Sequence, residues 1–308
     1  MRRRPLAVAV STMVIILGVA AITVGGLKGD LRRGAHWSGP AIPAKSADPC
    51  GPWGCEQQAR FAAASALLAT KAGHVGMVVR DRVTGAVWRG GEAGRPLWTA
   101  STIKLALAVD LLEKHRNQEL TLDATARKQI ADMLAFSSNP AATALWNRYK
   151  LAQDLQIFRD RFGMTGLAFA PGNNFWGNMK CTTEDLAALM SFILDALNAE
   201  DRAYLLTAMR GVDSVQQWGV WSAGPSLQPG VKGGWTVETD DGKDHWVVLS
   251  VGFAGPEARY VVSVTHDLPP GTRSANGDLE VGVHTVSDLV ATVFGAPVPA
   301  TPVIPNRL

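Results

Sequence analysis

The residues best suited to chemistry are Ser101 and Lys104, in the run Thr99-Ala100-Ser101-Thr102-Ile103-Lys104 that opens an apolar stretch. On a helix, positions i and i+3 share a face, so the lysine amine reaches back to the serine hydroxyl. A serine hydroxyl is a poor nucleophile until a neighbour accepts its proton. A lysine beside other cations in a partly dry site has its pKa lowered enough to do so. The serine's own N–H, at a helix N-terminus, can donate to a developing oxyanion. Alone, Ser-x-x-Lys has little specificity: roughly one chance occurrence is expected in a chain of this length. The bland reading is an exposed lysine near a capping serine. Two other segments add polar groups in defined contexts, Phe136-Ser137-Ser138-Asn139 after a helix and Val231-Lys232-Gly233-Gly234-Trp235 at the opening of a late strand.

The elements that must position these groups follow from hydrophobic period and turn chemistry. Residues 56–70 carry Phe61, Leu67 and Leu68 among helix-favouring alanines, a helix pattern. Val75 to Arg80 and Ala86 to Trp88 flank an Asp-Arg-Val-Thr-Gly turn and predict a β-hairpin. From Ser101 the pattern turns helical. Ile103, Leu105, Leu107, Val109, Leu111 and Leu112 make a buried helix, and 121–136 makes another with Thr121 and Asp123 as cap candidates. Helices are also expected over 140–149, 184–197 and 201–209. Strands return at 231–238, 245–253 and 259–265, followed by a last helix over 281–293. Strands, helices, strands, helix is the order of an α/β (α+β) domain: an antiparallel sheet made from both chain ends, flanked by helices, with an all-helical insertion.

Outside this domain the chain changes character. Arg2, Arg3, Arg4, Lys28, Arg32 and Arg33 against Asp30 give +5 in the first 33 residues, leaving −2 for the rest of a chain whose total is +3. A near-neutral domain argues against nucleic-acid binding, which needs a basic face on the fold itself. Positions 6–27 are uncharged, and their 22 residues as a helix would span about 33 Å, enough to cross a bilayer. The sequence therefore predicts an N-terminal transmembrane signal-anchor over 1–28, a Gly/Pro/Ala/Ser-rich linker over 29–55, a catalytic domain over 56–296 and a loose Pro-rich tail over 297–308. The domain would be extracytoplasmic on a single-pass anchor of the cytoplasmic membrane, with secretion after signal cleavage as the alternative. That compartment permits a short disulfide between Cys50 and Cys55, while Cys181 reads as a buried small hydrophobe. No cofactor or metal is expected. Asp240, Asp241, Asp244 and His245 read as a solvated hairpin turn, and neither His-Glu-x-x-His nor a phosphate-cradling Gly-x-x-x-x-Gly-Lys occurs. A monomer is expected.

Taken in order, Ser-x-x-Lys, Ser-x-Asn after a helix and Lys-x-Gly on a strand resemble the three motifs of the class A β-lactamases and low-molecular-weight penicillin-binding proteins. The contexts are similar as well: residues 95–104, 132–142 and 181–186 look like the stretches around the family's nucleophile, second motif and post-omega-loop threonines. The Lys-x-Gly-Trp and the Gln217-Trp218-Gly219-Val220 before it look like an actinobacterial subgroup. The resemblance covers about 56–296. It implies that Ser101 is the nucleophile, Lys104 its base and Ser137 the proton relay to the leaving group. It implies that Asn139 and Lys232 bind substrate, with Gly234 and the main-chain N–H of Trp235 forming the strand side of the oxyanion site. The implied partner is a small-molecule or peptide substrate, a β-lactam or a peptidoglycan-like D-Ala-D-Ala segment. Three departures stand out. No glutamate lies between Glu119 and Glu184, so the family's deacylating omega-loop glutamate has no counterpart, and the amides of Asn173 and Asn174 cannot replace it. Gly233 stands where the third motif usually has Thr or Ser. The stretch from Lys104 to Ser137 is shorter than in class A enzymes. The resemblance therefore implies acylation with slow deacylation, or a binding module that has lost turnover.

Overall fold

The computed structural model describes residues 50–240, 242–271 and 278–305. The candidate membrane span and most of the linker lie outside them. Among the described residues, no helix is long and apolar enough to cross a membrane.

The described chain begins with a turn closed by the Cys50–Cys55 disulfide. Left-handed glycines at Gly51 (φ 66°) and Gly54 (φ 71°) make so short a loop possible. Helix α1 (Gly54–Leu68) follows, then strands β1 (His74–Asp81), β2 (Val87–Gly91) and β3 (Leu97–Trp98). The helical insertion holds α2 (Ile103–Arg116), α3 (Ala124–Ala135), α4 (Asn139–Tyr149) and α5 (Leu155–Asp160). After β4 (Ala168–Phe169) and β5 (Met179–Cys181) come α6 (Thr183–Asp195) and α7 (Ala199–Arg210). The chain closes with β6 (Gly230–Asp240), β7 (Lys243–Ala254), β8 (Tyr260–Asp267) and α8 (Asp278–Phe294).

The main sheet has the order β2-β1-β8-β7-β6, antiparallel throughout, so the first two strands and the last three share it. Side chains alternate across a strand, and β7 shows what that achieves. Val247, Leu249, Val251 and Phe253 enter the core shared with the helical insertion, whereas Trp246 and Val248 enter the core under α1 and α8. A sheet buried on both faces needs apolar residues at both alternations, and β7 has them. Helix α2 is buried from Ile103 to Leu112, Lys104 and Asp110 included, and forms the axis of the insertion.

Helix starts obey their caps. Asp123, not Thr121, caps α3 by accepting from Ala126 N at 2.8 Å. Ser138 caps α4, and Thr182 with Asp185 forms a capping box on α6. Two features escape the sequence pattern. The six-residue α5 is too short to show a period, and the small sheet β3-β5-β4 rests on strands of two or three residues. One expectation is corrected. The tail is docked rather than loose as far as residue 305: Ala300 N–H donates to Asp288 Oδ1 at 2.7 Å, and Ile304 packs against the core beneath α8.

Candidate active site

Ser101 stands in a 3-10 turn (Ala100–Thr102) that runs directly into α2. Thr99 N–H donates to Met179 O at 2.9 Å, tying the turn to the small sheet. Ala100 has a left-handed backbone (φ 44°), as has Ser137 (φ 57°). Each costs about 1–2 kcal/mol for a residue with a Cβ, and both flank the same cleft.

The expected i, i+3 approach is present, with Lys104 Nζ 2.8 Å from Ser101 Oγ. The amine also donates to Ser137 O and Asn139 Oδ1, each at 2.6 Å, and lies 3.4 Å from Ser137 Oγ. Lys104 is completely buried, and all these acceptors are neutral. With no carboxylate among these contacts, burial pulls its pKa down from 10.5 to about 7. The indole of Trp176 lies over the ammonium at 4.8 Å, held by Nε1–H donating to Thr143 Oγ1 at 3.2 Å. Thus an aromatic face, not a carboxylate, covers the amine. Asn173 and Asn174 are exposed on the same loop.

Strand β6 brings the second lysine. Lys232, also fully buried, donates to Ser137 Oγ at 3.0 Å, Gln216 Oε1 at 2.6 Å and Gly233 O at 2.7 Å. Burial, reinforced by the charge of Lys104, holds it well below the ordinary lysine range. Ser101, Lys104, Ser137, Asn139 and Lys232 therefore form one connected polar network. Gln216 joins it unforeseen. Its Oε1 accepts from Lys232 and from Gly233 N–H, and its Nε2 donates to Leu134 O and Ala135 O, both at 2.7 Å. No spacing marks a lone glutamine in a loop. The signal available was physical: a buried lysine without an acid needs a neutral acceptor.

The same strand lies against the serine turn. A Cβ on Gly234 would lie 3.0 Å from Ser101 N and 2.9 Å from Thr102 N, so only glycine lets β6 lie against the serine turn. Gly233 N–H points to Gln216, away from β7. Main-chain groups two residues apart face the same side of a strand, so Trp235 N–H also faces this open edge, beside Ser101.

Gly233 has its own cause. A Cβ there would stand 2.7 Å from Trp218 Cζ2. Trp218 is fully buried, fixed by Nε1–H donating to Val215 O at 2.9 Å and edge-on to Trp235 with centroids 6.1 Å apart. The hydroxyl missing at position 233 is replaced by an indole in its volume. Trp176 and Trp218 are structural walls, Trp235 lies on β6, and Trp98 carries Lys180 Nζ at 4.8 Å over its ring.

No protein-family model matches the chain. It is 26% identical over 219 residues to the protein named Putative lipoprotein LppW of Mycobacterium bovis and Mycobacterium tuberculosis, covering 68% of each chain. Among solved structures it is similar to a β-lactamase from Chitinophaga pinensis, with TM-score 0.64 and 15% identity over 77% of this chain and 98% of that one. It is similar also to PBP-A, with TM-score 0.60 and 18% identity over 77% and 95%.

Proposed function

From a chain with the fold of the class A β-lactamases and penicillin-binding proteins, we propose a serine acyl-transferring hydrolase of the cell envelope that forms an acyl-enzyme at Ser101. The observation that carries the proposal is the 2.8 Å contact between Ser101 Oγ and a buried Lys104 whose pKa is about 7. The substrate class is an amide or ester of the envelope.

Neutral Lys104 accepts the serine proton as Oγ attacks the carbonyl carbon. The N–H groups of Ser101 and Trp235 stabilise the oxyanion. When the bond to the leaving nitrogen or oxygen breaks, Ser137 passes it a proton and is resupplied from Lys104, 3.4 Å away, or Lys232, 3.0 Å away. Asn139 orients the acyl side chain, and Lys232 holds Ser137 in place. The products are the Ser101 ester and the protonated leaving group. Hydrolysis of that ester needs a base to activate water. With Trp176 over Lys104 and no carboxylate on the amine, deacylation is slow. Envelope location is supported by the basic, apolar N-terminus, the Cys50–Cys55 pair and the likeness to a protein named as a lipoprotein.

A fluorophosphonate probe tests the nucleophile. It should add one phosphonyl mass at Ser101 and none to Ser101→Ala; equal labelling of the two, or none of the wild type, refutes the proposal. A second reading, a binding module without turnover, is favoured by the covered base. It requires that peptidoglycan fragments bind Ser101→Ala as tightly as wild type.

A further inference from the structure

A buried cleft with two lysines would ordinarily suggest an anionic ligand, but the donor count here says otherwise. An ammonium has three hydrogens. Lys104 meets Ser101 Oγ, Ser137 O and Asn139 Oδ1, which take up its three hydrogens when it is charged, or its lone pair and two hydrogens when it is neutral. Lys232 commits its three to Ser137 Oγ, Gln216 Oε1 and Gly233 O. Both side chains have zero exposure, so a carboxylate would have to displace a protein acceptor to touch either. Two cations so close, in so dry a place, also disfavour each other's charge.

The strand beyond offers no substitute. Side chains at 232, 234, 236 and 238 share a face, which the contacts of Lys232 with Ser137 and of Gly234 with Ser101 identify as the face toward the site. Its next members are Thr236 and Glu238, a hydroxyl donating to a carboxylate at 3.0 Å. On the other face, at 233, the indole of Trp218 stands where any side-chain donor would be.

We propose that this cleft selects an ester or amide whose leaving group is uncharged, because the hydrogens of Lys104 and Lys232 are already spent on the protein and the Thr236 hydroxyl on the same face of β6 is given to Glu238. This rests on Ser101 being the nucleophile. In the acylation step the Ser101 Oγ–carbonyl carbon bond forms and the bond from that carbon to the leaving oxygen or nitrogen breaks. The serine proton ends on the departing atom, giving a neutral alcohol or amine.

The test uses the full chain and two aryl esters with one N-acylglycine acyl group, leaving as 4-hydroxybenzoate or as its methyl ester. Acylation of Ser101 is followed by intact mass, and each rate is divided by that ester's own alkaline hydrolysis rate. A charged group stripped of water without a partner costs enough that the methyl ester should lead by roughly tenfold or more. A normalised rate equal to it, or higher, for the carboxylate overturns the proposal. The fluorophosphonate control on the same preparation separates the two ideas. If the probe labels Ser101 and the carboxylate is preferred, selectivity is wrong; if Ser101 is not labelled, the nucleophile assignment fails and this inference with it.

Discussion

Asn139→Asp replaces an amide oxygen 2.6 Å from Lys104 Nζ with a carboxylate oxygen of nearly the same shape. The exchange sits at the first turn of α4, where the helix dipole tolerates an acid, so folding should survive. Its electrical effect is large. Burial without an acid holds Lys104 at about 7, and an opposite charge at such range favours the protonated amine by roughly 1–3 pK units. At pH 7 the neutral fraction of wild-type Lys104 is about one half. Moving the pKa to roughly 8–10 cuts it to about 0.1–0.001. The acylation rate, carried by the neutral amine, should therefore fall by roughly 5- to 500-fold at pH 7. The sign fixes the window: wild-type acylation climbs with pH through about 7 and levels above it, whereas the variant climbs later and recovers at alkaline pH. Stopped-flow or quenched-flow acylation by a neutral ester from pH 5.5 to 10 measures both midpoints. A loss of equal size at every pH, or an unmoved midpoint, would refute Lys104 as the base.

Other substitutions probe the surroundings. Gly233→Ala puts a methyl 2.7 Å from a fixed indole and should cost about 1–3 kcal/mol by overpacking, read as a fall in Tm; no change would mean that Trp218 yields. Gln216→Leu removes four hydrogen bonds around Lys232 and should cost roughly 3 kcal/mol or more in chemical denaturation, against which an unaffected midpoint would count. Opening the Cys50–Cys55 bridge should cost about 2 kcal/mol for so short a loop without altering the rate of Ser101 labelling, since α1 contributes nothing to the site. Intact mass should show the acyl-enzyme accumulating before it decays. Steady-state turnover of ~10 s⁻¹ or more, the median for enzymes, would contradict the covered base.

The sequence alone determined what is encoded within a few residues of chain. Alternation and the 3.6 period marked most strands and helices, because each element must turn an apolar face to a core. The Ser101–Lys104 contact was legible because helix geometry fixes i and i+3 as neighbours. The contexts around 137–139 and 232–235 carried the family likeness. Tertiary structure alone decided everything that depends on the surroundings of a buried group. The Lys104 amine has its pKa drawn down to about 7 because it is buried, with uncharged acceptors that include two brought from 33 and 35 residues away. Gly233 looks like a lost hydroxyl in the sequence and proves to be the space that Trp218 requires. Gln216 and Trp176 gained their roles only when loops distant in the chain closed on the two lysines, and the tail was fixed by one carboxylate on α8. Desolvation and packing are properties of three-dimensional neighbours, and no local spacing records them.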